Sequence, residues 1–283
     1  MIYNFDEIID RRGTSAIKLE WLQQMWGRTD LLPLWVADMD FATAPFVTEA
    51  IKRRLETPVL GYTAKPESYY RAIVRWTKER YGLEVKKRHI NFVSGIVPGI
   101  GLALNAFTEK GDKVLIQPPV YGPFTWLNKR NGRTLVTNPL KLVDGTYRMD
   151  IEHFRQQVKG CKVFILCNPH NPIGICWDKE SLQEVARLAR KYNVIVVSDE
   201  IHSDLGIFGH KHTPFASVNE DAAAVSISFG APSKTFNIPG VCSSWCVVKN
   251  PELRKPFFEW LQVNEFSVPT WFATEATEAA YTH

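Results

Sequence analysis

The sequence has no Cys-x-x-Cys pair, no His or Cys set at zinc-ligand spacing, no apolar run of membrane-spanning length and no stripe of like charge. Each gap excludes something. The cysteines at 161, 167, 176, 242 and 246 are odd in number and unpaired in spacing, so reduced thiols of a cytoplasmic protein are expected, without a disulfide framework or structural metal. The opening "MIYNFDEIIDRRGT" carries acids where a secretory leader would be apolar, and no membrane association is expected. A net charge of +4 over 283 residues, with Lys and Arg scattered, lacks the electrostatic footprint of a nucleic-acid binder. The basic triplets "KRR" (52–54) and "KKR" (86–88) read as solvated faces. The glycines at 95, 99 and 101 do not spell G-x-G-x-x-G, and no Gly-Lys-Ser/Thr follows them, so neither a dinucleotide fingerprint nor a Walker loop is supported.

What is present is an ordinary globular composition, 45% apolar and 23% charged, with a clear alternation. Short β-rich runs, "INFVS" (90–94), "KVLIQ" (113–117), "KVFILC" (162–167), "VIVVS" (194–198), "AVSISF" (224–229) and "SWCVV" (244–248), read as buried strands. Between two of them "DKESLQEVARLARKYN" (178–193) sets Leu182, Val185, Ala186, Leu188 and Ala189 on one stripe, with Asp178 as N-cap. Strands apolar on both faces and separated by helices predict an α/β fold, a mostly parallel sheet with helices packed on both sides. Further helices are expected from Pro45 to Glu56 and from Pro66 to Tyr81, each with a proline in its first turn. Residues 1–45 break the rhythm and read as part of a separate, smaller layer. The last residues, "VPTWFATEATEAAYTH", form a helical pattern without a C-capping Gly.

In open parallel sheets ligands bind beyond the carboxyl ends of the strands, so the polar residues that follow each apolar run carry the functional argument. "VIVVS" is followed by "DEIHSDL", "AVSISF" leads to "APSKTFNIPG", "KVFILC" to "NPHNPIG", "INFVS" to "GIVPGIGLALNAF", and "KVLIQ" to "PPVYGPF". Singly, these read as readily as an acid-rich turn, a solvated loop lysine and two tight turns. Together they put a lysine, an acid, an asparagine, an aromatic ring and a glycine-led helix start at the ends of one sheet. That set matches what pyridoxal 5'-phosphate requires: an amine for the imine, an acid for the ring nitrogen, a donor for the phenolic oxygen, an aromatic face and an anion cradle.

The same segments, with "PLWVADMDF" and "GYT", resemble the fold-type I pyridoxal-phosphate enzymes of the aminotransferase class I/II superfamily, and within it the MalY/PatB-type cystathionine β-lyase (carbon–sulfur lyase) branch. The resemblance runs along nearly the whole chain. It implies Lys234 as the Schiff-base lysine and catalytic base, and Asp199 as partner of the pyridine nitrogen. Asn171 and His202 would contact the phenolic oxygen and Tyr121 would stack on the ring. Gly95, Ile96 and Val97 would offer amides to the phosphate, with Ser233 as a hydroxyl donor. Tyr62 would reach in from a second subunit, which implies a homodimer. Position 242, where many relatives carry a phosphate-binding Arg or Lys, is Cys here.

The function implied is a carbon–sulfur β-lyase acting on a small amino acid such as cystathionine, with an aminotransferase of the same fold as the alternative. A truncated or regulatory cofactor-binding protein without turnover is the alternative of another class. The resemblance also divides the chain into an N-terminal small-domain segment, 1–45, and a large cofactor-binding domain, 46–283. The C-terminal part of the small domain, with the arginine that grips the substrate carboxylate, is expected beyond these residues, and no residue here is assigned that role.

Overall fold

The computed structural model describes residues 3–283, so positions 1 and 2 of the expected 1–45 segment lie outside the described residues. The helices are α1 (Ile17–Trp26), α2 (Pro45–Leu55), α3 (Glu67–Tyr81), α4 (Ile96–Phe107), α5 (Gly122–Arg130), α6 (Ile151–Gln157), α7 (Lys179–Tyr192), α8 (Glu220–Val225), α9 (Pro251–Val263) and α10 (Trp271–Thr282). The strands are β1 (Ile90–Val93), β2 (Lys113–Ile116), β3 (Thr134–Thr137), β4 (Lys141–Val143), β5 (Thr146–Arg148), β6 (Cys161–Cys167), β7 (Ile195–Asp199), β8 (Ser226–Gly230) and β9 (Ser244–Val247). Among the described residues no helix is long and apolar enough to cross a membrane.

Seven strands form one sheet in the order β1-β9-β8-β7-β6-β2-β3. Strands β3, β2, β6, β7 and β8 are parallel, whereas β9 is antiparallel to both β8 and β1. The link 231–243 contains a 3-10 turn and no α-helix, so it lacks the helical crossover that usually returns a chain to a parallel position. Successive residues face opposite sides, as the strand repeat dictates. Val197, Ile227 and Cys246 pack with α4 and α9 on one face. On the other, Val196 and Phe164 pack with α6, α7 and α8, and Trp245 and Val247 pack with α2, α3 and α10. This is the α/β architecture that the alternation predicts.

Helix α7 carries its buried Leu182, Val185, Ala186, Leu188 and Ala189 on the expected stripe. Asp178 caps it by accepting from the Ser181 N–H at 2.7 Å. Elsewhere the boundaries move. Ala224 and Val225, expected in a strand, close α8 instead, because the Asn219 side chain accepts from the Ala222 N–H at 2.8 Å and starts a helical turn there. Pro66 is the N-cap of α3 rather than part of its first turn. The β4–β5 hairpin, absent from the expectation, turns on Asp144 and Gly145, whose φ values of 50° and 74° fit a two-residue turn with both centres left-handed.

Among its described residues the segment before α2 holds one helix and no strand. It is fastened to the main body by Asn237, whose side-chain amide donates to the Met39 and Phe41 carbonyls, both at 3.0 Å, while its carbonyl accepts from the Met39 N–H at 2.9 Å. Asn237 adopts φ 54°, a left-handed conformation that asparagine tolerates better than most residues.

Candidate active site

Apart from Tyr62, the residues singled out above lie at or just beyond the carboxyl ends of β1, β2, β6, β7 and β8, all of which open on one edge of the sheet. Asp199 is the last residue of β7 and only 5% exposed. Burial pushes its carboxyl up to about 7, opposed by the Ile201 N–H that donates to it at 3.1 Å and by the charge of Lys234. Among the described residues its carboxylate makes no ion pair and accepts no other hydrogen bond. A desolvated carboxylate left this way calls for a cationic partner.

Lys234 sits in the turn that follows β8, half-buried. Burial lowers its amine below the usual lysine range, while the charges of Asp38 and Asp199 work the other way. A lysine so placed keeps more of the neutral, nucleophilic form near pH 7 than a solvated one. His202, three residues beyond Asp199, is also lowered, by burial and then by Lys234. Tyr121 is the N-cap of α5 and meets Phe124 edge to face, at 5.9 Å between ring centres. Its hydroxyl is raised by burial and by the nearby Asp199. Lys234, Asp199, His202 and Tyr121 are therefore close enough to act on each other's charge.

The start of α4 forms the floor of the other end. Its Ile96 and Val97 N–H groups have no partner within the helix, Gly95 has no side chain to cap them, and Pro98 contributes no N–H. The helix reaches the sheet because position 99 lacks a side chain: a Cβ there would lie 2.6 Å from the Phe229 ring, one residue from the end of β8. Ser233 is buried in the same turn as Lys234. Asn171 donates its backbone N–H to Cys167 Sγ at 3.3 Å, and Cys167 is the register partner of Asp199. Tyr62 stands apart, fully exposed and in no contact with the cluster of its own chain. Cys242 is also exposed.

Three features were not anticipated. Asp38, part of "PLWVADMDF", lies within charge reach of Lys234; Arg11 holds one of its oxygens at 2.5 Å, and the other is buried without a hydrogen-bond partner among the described residues. The Lys18 ammonium supports it from behind, donating to the Asp38 carbonyl at 3.0 Å and to the Asp40 carboxylate at 2.7 Å. Asp204 accepts from Tyr81 and Thr235 and so ties the loop after β7 to the loop after β8. Glu200 points away from the cluster and is a folding residue, accepting from the Ser198 hydroxyl at 2.8 Å and the Phe215 N–H at 3.0 Å. The only signal for Asp38 in sequence was its place in a quoted segment; Asp204 and Glu200 share one acid-rich stretch with Asp199, all three are buried, and their hydrogen-bond partners separate their tasks.

A lysine, a buried acid and an uncapped helix start at the ends of an open mostly parallel sheet define a class: an α/β protein whose strand ends are suited to an anionic ligand. The model of the family described as aminotransferase class I and II matches residues 29–280, and the chain belongs to that family. It is 44% identical over 280 residues to "Cystathionine beta-lyase PatB" of Bacillus subtilis, covering 98% of this chain and 72% of that protein. Among solved structures it is similar to a PLP-bound putative aminotransferase from Clostridium difficile 630, with TM-score 0.96 and 40% identity over 100% of this chain and 73% of that one. The PLP-bound C-S lyase from Staphylococcus hominis superposes with TM-score 0.90 and 37% identity, over 100% of this chain and 71% of that one.

Proposed function

We propose that this protein is a pyridoxal-phosphate-dependent carbon–sulfur β-lyase that converts cystathionine or a related S-substituted cysteine into a thiol, pyruvate and ammonia. The observation that carries the reading is its 44% identity, over 98% of the chain, to a protein named as a cystathionine β-lyase. The cofactor fits the residues present: Asp199 is a buried acid short of a cation, and α4 opens with unsatisfied N–H groups.

When bound, pyridoxal phosphate supplies an aldehyde that captures an amino group and a cationic ring that draws electrons from the neighbouring α-carbon. Lys234 would hold it covalently at Nζ and, once released by the substrate amine, take the Cα proton; its lowered basicity favours the neutral form that both tasks need. Asp199 would keep the ring nitrogen protonated. Asn171 and His202 would contact the phenolic oxygen and Tyr121 would cover the ring face. The N–H groups of Gly95, Ile96 and Val97, with the Ser233 hydroxyl, would hold the phosphate by the attraction of a helix start for anions.

Residues 46–283 serve in this reading as the large cofactor-binding domain and 1–45 as part of a small one. The exposed Tyr62 would complete the site of a second copy, making the working unit a homodimer. The likeness to a putative aminotransferase keeps amino transfer as the second reading. Incubation with cystathionine separates the two: release of thiol and pyruvate supports the lyase, whereas keto-acid-dependent transfer without thiol release rejects it. Borohydride reduction followed by peptide mapping is expected to put the cofactor on Lys234, and Lys234→Ala is expected to show no adduct.

A further inference from the structure

Beside the cluster, and sharing Asn171 and His202 with it as lining, lies an open cleft of about 920 Å³ between the β4–β5 hairpin, the turn after β6 and the loop 205–211. Arg148 from β5, Lys179 from the first turn of α7 and Lys211 from the loop line it. None of these cations makes an ion pair or a side-chain hydrogen bond among the described residues, although Lys141 on the adjoining strand is paired with Asp150 at 2.7 Å. The single acid in the lining, Asp178, has both oxygens engaged by Ser181, at 2.7 and 2.8 Å. Ile207 and Phe208, 63% and 93% exposed, add an apolar rim to the same wall. The cleft therefore combines an apolar edge with an excess of positive charge, and its lining includes His202, which lies within charge reach of Lys234.

We infer that this cleft receives the sulfur substituent of the substrate and selects substituents that end in a carboxylate. The inference rests on the lyase reading and names its substrate class: S-substituted cysteines whose leaving thiol carries a short apolar stem and a terminal anion. The stem lies along Ile207 and Phe208, and the carboxylate meets Arg148 and Lys211, a guanidinium being suited to a two-point grip on it. Long-range attraction into a cleft of one sign also raises the encounter rate of an anion and weakens with salt.

The test uses three S-substituted cysteines that differ at one end, S-(2-carboxyethyl)-L-cysteine, its terminal amide, and S-(2-aminoethyl)-L-cysteine, with thiol release as the readout. The acid is expected to exceed the amide by about tenfold in kcat/KM, mainly through KM, and the amine to be poorest. In the double variant Arg148→Gln with Lys211→Gln the acid is expected to lose that advantage over the amide. Binding gives a readout without turnover: 3-(methylthio)propionate, followed by the fluorescence of Trp177 in the cleft wall, is expected to bind about tenfold more weakly to the double variant. Equal rates for acid and amide in the parent, or unchanged binding in the double variant, would overturn the inference and leave the lyase reading intact. No thiol from any of the three would overturn the lyase reading and this one with it.

Discussion

The Thr235 hydroxyl donates to the Asp204 carboxylate at 2.8 Å, joining the residue after Lys234 to the loop that follows Asp199. Tyr81 donates to the other oxygen of Asp204, and Arg80 approaches it at 3.5 Å. The Asp204 side chain is 4% exposed, so its bonds are shielded from competing water. This one carboxylate sets the spacing between the loop that carries the lysine and the strand that carries the acid.

Asp204→Ala leaves two half-buried hydroxyls without this partner, at a combined cost of about 1–3 kcal/mol. Urea unfolding is expected to show a loss in that range. The variant is also expected to hold pyridoxal phosphate less tightly, read from the fraction of cofactor retained on gel filtration. Retention equal to the parent's would show that the bond only stabilises the fold.

Asp199 makes the stability of the cofactor-free protein depend on pH. Its carboxyl sits near 7 when folded against an ordinary 3.8, so between these values the folded state binds the extra proton. Its contribution is thus greatest below pH 4 and is lost as pH rises through 7. Asp199→Asn is expected to unfold at a higher temperature than the parent at pH 8. At about 1.4 kcal/mol per unit of displacement, the gain is on the order of a few kcal/mol. Melting at pH 4 is expected to show no such gain, and a variant less stable than the parent at pH 8 would contradict the burial argument.

Lys234 feels two carboxylates, Asp38 before Asp199. Removing the charge with Asp38→Asn is expected to lower the amine further. In the cofactor-free protein, acetylation of Lys234 followed by peptide mass spectrometry would then rise at a lower pH than in the parent. A midpoint unmoved, or moved upward, would argue against Asp38 as the charge that sustains the ammonium.

Gly230 closes β8 beneath Trp245, and a Cβ there would fall 2.4 Å from the Trp245 ring. The indole is itself held, donating to the Tyr281 hydroxyl at 3.2 Å. Gly230→Ala must push the ring aside, at about 1–3 kcal/mol for an overpacked core. Denaturant unfolding is expected to register that loss together with a change in tryptophan emission.

Much of this was written locally along the chain. The strand runs, the α7 stripe and its Asp178 cap depend on residues a few positions apart, which is the range over which periodicity and capping act. Lys234 and Asp199 were legible because strand ends in an open sheet share one edge, so order along the chain translates into proximity. The late start of β8 was missed for an equally local reason, an Asn219 cap that outweighed β propensity, and the mostly parallel pattern did not specify that β9 would be the strand to reverse.

By itself, then, the sequence determined the α/β alternation and which side chains stand where the strands end, since both follow from short-range pattern. Only the tertiary structure decided how those side chains are charged and held. Asn237 reaches Met39 across 198 positions, Asp204 meets Thr235 across 31, and Arg148 and Lys211 come to line one cleft. Burial, which raises Asp199 and lowers Lys234, is a property of the packed chain, and no pattern of neighbours along it encodes which of three buried acids, Asp199, Glu200 and Asp204, is left with a single hydrogen bond.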